Sequence, residues 1–193
     1  MNDESIANEI RKMKKYKPLF LIICTIIQIL LLGFSFYANY REYGVLIQVS
    51  PFNPMIGPST TTLIQIGAKY TPCILPTEYF NVSNCPLEYQ EAFPPVYLLD
   101  SDGEMIACGD LERLCGMGGF RHGEPDQWWR YITPIFLHSG VLHLLFNLIF
   151  QIRTGFQLER EMGFFRMFFV YMSSGVYGFL LGSLFSVGMR KIH

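Results

Sequence analysis

LFLIICTIIQILLLGFSF, residues 19–36, runs for eighteen residues without a charge. At about 1.5 Å per helical residue, and with Tyr37 and Tyr40 beyond it, this stretch covers the roughly 30 Å hydrocarbon core of a bilayer. It predicts a first transmembrane helix over 19–40. A cleaved signal peptide is the competing reading, but such a leader has an apolar run of about 7 to 15 residues and ends in small residues. Phe36, Tyr37, Asn39 and Tyr40 do not fit that ending. Arg11, Lys12, Lys14, Lys15 and Lys17 lie just before the helix, and a basic flank is retained on the cytosolic side. Residues 1–18 are therefore expected to form a cytosolic basic tail.

The rest of the chain agrees with a membrane setting. Of 193 residues, 50% are hydrophobic and 16% charged, and the mean hydropathy is +0.25, an unusual balance for a soluble domain. The net charge of -1 lacks the basic footprint of a nucleic-acid partner. Two further apolar runs follow, at about 132–151 and 167–187. They are separated by a connector, 152–166, that holds Arg153, Glu159, Arg160, Glu161 and Arg166. With the N-terminus inside, the second span returns to the cytosol, and the three arginines fit the positive-inside trend. Arg190 and Lys191 in the terminal tail, 189–193, run against it.

Between the first and second spans, residues 41–131 contain eight prolines from Pro51 to Pro95 and four of the five cysteines, Cys73, Cys85, Cys108 and Cys115. Such a segment reads as a folded but irregular lumenal loop region. In an oxidising lumen the four cysteines can form two disulfides in three pairings, and spacing does not choose among them. Asn81-Val82-Ser83 is a glycosylation sequon. Trp128, Trp129 and Tyr131 close the segment as an aromatic belt. The expected architecture is an all-α polytopic bundle of three transmembrane helices with this loop attached.

The second span contains HSGVLHLLFN, with His138, His143 and Asn147, and polar side chains inside a membrane helix are functional candidates by default. On a helix turning about 100° per residue, His143 and Asn147 share a face, while His138 lies about 140° from His143. That separation disfavours a shared metal ion, and neither a metal nor a cofactor is expected. Two N–H donors on one face can serve a developing oxyanion. Their commoner fate in a membrane bundle is to hydrogen-bond neighbouring helices. Arg130 is placed to pair with lumenal carboxylates or lipid phosphates. Glu159, with Gly155 and Gly163 four residues to either side, sits on a face that allows close backbone approach. For both charges the plain alternative is an ordinary interfacial side chain. Ser174, Gly178, Gly182 and Ser186 recur every fourth residue in the third span as a helix-packing stripe.

The HxxxxHxxxN pattern of His138, His143 and Asn147 resembles the second-helix motif of rhomboid intramembrane proteases. Trp129-Arg130 resembles the family's Trp-Arg pair before that helix, and Gly155, Glu159 and Gly163 resemble its GxxxExxxG motif after it. The segments SPFNPMIGPST, LCGMGGF and DQWWRYITPIFLHSGVLHLLFN look like a eukaryotic secretory-pathway rhomboid with a long first lumenal loop, and the likeness covers roughly residues 45–188. The resemblance implies a partial rhomboid fold over 132–188 and membership of the serine endopeptidases that cleave transmembrane substrates. It gives His143 and Asn147 as oxyanion-side residues and His138 as a structural one. It also implies a multi-pass protein of the Golgi, endoplasmic reticulum or plasma membrane, whose partners are the lipid bilayer and transmembrane substrates or clients.

In that family the serine lies in a GxSx motif at the start of a fourth span, and its histidine partner lies in a sixth. Ser173, Ser174 and Ser183 lack that setting, and His193 is terminal; a serine needs a base within hydrogen-bond reach. The chain is therefore expected to be inactive as written and to represent a truncated, misspliced or mispredicted product. The rival expectation is a pseudoprotease that binds client helices without chemistry.

Overall fold

In the computed structural model, residues 15–77, 80, 85–99 and 105–184 are described. The sequon at Asn81, the stripe residue Ser186, the basic residues Arg11, Lys12 and Lys14, and the terminal Arg190, Lys191 and His193 lie outside them. The described residues are mostly helical. Helix α1 spans Leu19–Tyr43 and ends at Gly44, whose φ of 71° supplies the left-handed cap. Short helices α2 (Thr60–Gln65), α3 (Thr71–Ile74) and α4 (Leu111–Cys115) follow. Strands β1 (Val96–Leu99) and β2 (Met105–Cys108) pair antiparallel, with Val96 opposite Cys108. Helix α5 (Val141–Phe150) continues through a π-helical turn, Gln151–Gly155, into α6 (Phe156–Met162). Helix α7 (Phe164–Leu184) closes the described chain.

Among the described residues, two helices are long and apolar enough to cross a membrane, α1 and α7. The expected second span is not one helix over 132–151. Short 3-10 turns at Trp128–Tyr131 and Thr133–Ile135 precede it, and the α-helix begins only at Val141. Pro134 removes a backbone donor from the first stretch. A docked loop then sets the helix start, since the N–H groups of Val141 and Leu142 donate to the carbonyls of Ile56 and Met55 at 3.1 and 3.2 Å. Helical structure instead extends to Met162, so most of the expected connector is helix, with the charged residues Arg153, Glu159, Arg160 and Glu161 on it. Helix α7 begins three residues before the expected 167.

The loop region has its own core. Ile64, Cys73, Phe80, Ala107, Leu114 and Cys115 form one cluster, and Cys85, Ile106 and Cys108 form another. Disulfides Cys73–Cys115 and Cys85–Cys108 fasten both, choosing one of the three pairings left open by spacing. Asn39, buried in α1, joins this region to the helices. Its amide donates to Val45 O at 2.8 Å, and its Oδ1 accepts from Ser59 N at 2.9 Å and Thr62 Oγ1 at 2.8 Å. At the other end of α1, Phe20, Leu21, Cys24 and Met167 make the core between helices.

Candidate functional site

A cavity of about 620 Å³ opens between α1, α5 and α7 under the loop region, and His138, Ser139, His143, Asn147, Gly155 and Ser174 are among its lining residues. Asn147 follows His143 by one helical turn on α5, which puts both on one face. Both side chains are exposed. His138 precedes the helix, so the 140° separation expected from a helical wheel does not apply. Its ring lies edge-on to that of His143, with centroids 5.3 Å apart and planes at 69°. Its Nδ1 is 3.2 Å from Phe136 O. Ser139 Oγ lies 2.8 Å from His143 Nδ1, a contact the motif-based reading passed over although the two residues are one turn apart in sequence.

Trp129 and Arg130 are not in this cavity. Arg130 is 0% exposed and donates from Nε to Gln127 Oε1 at 2.6 Å and from Nη1 to Ile64 O at 2.7 Å and Ala68 O at 2.6 Å. Nη2 donates to Cys115 O. The expected pairing with carboxylates or lipid phosphates is thus corrected: the guanidinium fork is spent on carbonyls of α2, of the turn after it and of α4. Burial pushes its pKa down to about 10, and the planar five-donor geometry explains why a cation is kept there. Gln127 completes the clamp by donating to Gly116 O and Gly119 O, each at 3.0 Å.

Gly155, Glu159 and Gly163 meet the start of α1. A Cβ on Gly155 would lie 2.7 Å from Leu21 Cδ1, so a larger residue here would have to push the buried Leu21 side chain aside. Glu159, 0% exposed, accepts from Phe20 N at 2.8 Å and Leu21 N at 2.9 Å. The two carboxylate oxygens thus satisfy two of the otherwise unpaired N–H groups of α1 and oppose its positive dipole end. The plain interfacial alternative is therefore wrong for Glu159 as well. Gly163 has φ +82° and lies against the Tyr16 ring, where a side chain would be strained.

A polar knot among three helices was not foreseen. Gln151 Nε2 donates to Thr25 Oγ1 at 2.8 Å, Gln28 Nε2 donates to Tyr171 OH at 3.0 Å, and Tyr171 OH donates to Gln151 Oε1 at 3.3 Å. Each residue alone looks like a tolerated polar substitution in an apolar run, so none of them signals the knot by itself. In the stripe on α7, a Cβ on Gly178 would meet nothing within 4 Å, and one on Gly182 would lie 3.3 Å from Lys69 Nζ. Two literal G-x-S-x strings occur, at residues 33–36 and 57–60. Ser35 donates to Leu32 O inside α1, and Ser59 caps α2; neither bonds a histidine.

Comparison with known proteins agrees with these motifs. The family model described as "Rhomboid domain" matches residues 125–190. Rhomboid-type serine protease 2 of Emericella nidulans is 39% identical over 171 residues, 83% of this chain and 32% of that protein. RHOMBOID-like protein 4 of Arabidopsis thaliana is 42% identical over 111 residues, 54% of this chain and 28% of that protein. Inactive rhomboid protein 1 of Papio anubis is 37% identical over 76 residues, 39% of this chain and 9% of that protein. The chain spans about a third or less of the length of these relatives. Its matched region carries the Trp-Arg pair, the His/His/Asn pattern and the Gly/Glu/Gly helix contact in one stretch, and the chain belongs to the rhomboid family.

Proposed function

We propose that this chain forms the oxyanion side of a rhomboid-type serine endopeptidase that cleaves transmembrane substrates. One observation carries the reading: His143 and Asn147, one turn apart on α5, line the same cavity. An imidazole N–H and a carboxamide N–H₂ directed at one point stabilise the negative oxygen that develops when a peptide carbonyl is attacked. Two features support a cytosolic N-terminus and a secretory-pathway membrane. Tyr16 N donates to Arg160 O at 2.9 Å, which gathers Lys15, Lys17 and Arg160 at one end of the helices. The two disulfides lie at the other end, as an oxidising compartment allows. Helices α1, α5–α6 and α7 would then be the three crossings.

Fluorophosphonate labelling of the purified 193 residues in detergent tests the chemistry. No covalent adduct and no cleavage of a transmembrane substrate are expected, because no serine of the chain has the family's GxSx setting in a fourth span; labelling would overturn the expected inactivity. In the product translated from the native transcript, the oxyanion reading expects His143→Ala and Asn147→Ala each to lower kcat by about 100-fold or more, with KM little changed. Unchanged kcat would overturn it. The second reading, a pseudoprotease-like binder of client helices, is favoured by the open face around Ser174 and Gly178 on α7. Inactive rhomboid proteins among the relatives point the same way. Client co-precipitation lost in Gly178→Leu/Gly182→Leu would support it.

A further inference from the structure

We propose that Ser139 is a positioning residue for His143, its hydroxyl donating to Nδ1 and so fixing the ring proton on Nε2. Its purpose rests on the oxyanion reading; the contact itself does not. The backbone around Ser139 is held from outside its own helix. Asn53 Nδ2 donates at 3.0 Å both to Pro58 O and to Ser139 O, while Asn53 Oδ1 accepts from Met55 N at 2.9 Å. Neither Gly57 nor Gly140 has room for a side chain, because a Cβ would lie 1.9 Å from Ser139 O or 2.2 Å from Met55 O. The 53–57 loop and the start of α5 are thus pressed together, and Ser139 is set one turn before His143.

A neutral imidazole has one N–H and one bare nitrogen, and the bond made by one nitrogen decides the state of the other. The 2.8 Å contact between Ser139 Oγ and His143 Nδ1 can be formed in two ways. Were Nδ1–H the donor, the serine hydrogen would need its own acceptor, and Ser139 Oγ has no second hydrogen bond among the described residues. Donation by the hydroxyl gives the serine hydrogen a protein acceptor and leaves Nε2–H as the free donor of His143 toward the cavity. The ring of His138, edge-on at 5.3 Å, restricts rotation that would exchange the two nitrogens. An oxyanion donor gains from such pre-orientation, since a ring carrying its proton on the wrong nitrogen presents a lone pair to a developing negative charge.

Histidine side-chain ¹⁵N spectra of the full chain in detergent, recorded at mildly alkaline pH, read the tautomer directly. The signals are assigned with His143→Gln and His138→Gln. A single Nε2–H form of His143 is expected in the parent and in Ser139→Thr, and a mixture of both tautomers in Ser139→Ala. A parent His143 protonated on Nδ1 overturns the proposal with no variant needed, as does a Ser139→Ala spectrum unchanged at His143. Fluorophosphonate labelling abolished by Ser139→Ala would also overturn it, by making Ser139 a nucleophile. Loss of the protease reading would leave the tautomer result standing.

Discussion

The loop region and the membrane helices handle polarity in opposite ways. In the loop region a full cation is buried and every arm of it ends on a carbonyl, with two disulfides around it. Along the helices, large apolar side chains stand exposed, Phe150 at 70% and Phe165 at 75%, and the polar groups that link one helix to another are gathered into the Thr25/Gln28/Gln151/Tyr171 knot and the Glu159 cap. Water imposes the first pattern, because a buried carbonyl must replace a solvent partner. Lipid allows the second, because exposed apolar surface carries no penalty there and polar groups must find each other. The cavity holding His143 and Asn147 lies where the two regimes meet, roofed by the loop and walled by helices.

Breaking the loop region's clamp should have the largest effect. Arg130→Ala leaves Gln127 Oε1 and the carbonyls of Ile64, Ala68 and Cys115 without a donor, and a loss of about 3 kcal/mol or more is expected. Arg130→Lys should recover only part of it, since an ammonium cannot span the fork. Thermal unfolding in detergent, with limited proteolysis of residues 59–131, measures both; a loss under about 1 kcal/mol for Arg130→Ala would mean that the carbonyls are otherwise served. Breaking the helical region's cap comes next. Glu159→Ala should cost about 2 kcal/mol through the stranded N–H groups of Phe20 and Leu21, and Glu159→Gln about half that, because one acceptor oxygen remains. Equal losses for the two variants would show that charge, not hydrogen bonding, dominates.

Lys69 sharpens the comparison at the boundary with the smallest effect. Burial lowers its pKa below the ordinary lysine value. A base with a depressed folded pKa costs stability wherever pH is below that pKa, and the cost disappears as pH rises from the folded to the unfolded value. Lys69 is only partly buried, so Lys69→Met should stabilise by no more than about 0.5 kcal/mol at neutral pH. The difference from the parent should shrink through the alkaline range of lysine. A difference that grows instead would show that the ammonium is favourably paired.

Helix α1 and helix α7 were legible because a long uncharged run allows few alternatives in lipid, and the expected 19–40 falls within Leu19–Tyr43. The start of α5 was not, since it depends on carbonyls of residues 55 and 56, about eighty-five positions away. For the same reason Arg130 read as an interfacial charge: its neighbours in sequence are aromatic, while its partners Ile64 and Cys115 are 66 and 15 residues distant. The Gly155/Glu159/Gly163 spacing announced a shared helix face, but only the packed structure shows that α1 docks on it. The His143/Asn147 pair was readable because an i, i+4 spacing within one helix needs no tertiary knowledge.

The central claim is that Asn147 faces the cavity it shares with His143 while its neighbour Phe146 faces lipid. Spin labels at Asn147→Cys and Phe146→Cys, in a Cys24→Ala background reconstituted into lipid nanodiscs, measure this through collision with a water-soluble nickel complex and with oxygen. The label at 147 should be relaxed mainly by nickel and the label at 146 mainly by oxygen; equal oxygen-dominated relaxation at both positions would place Asn147 in the hydrocarbon and contradict the claim.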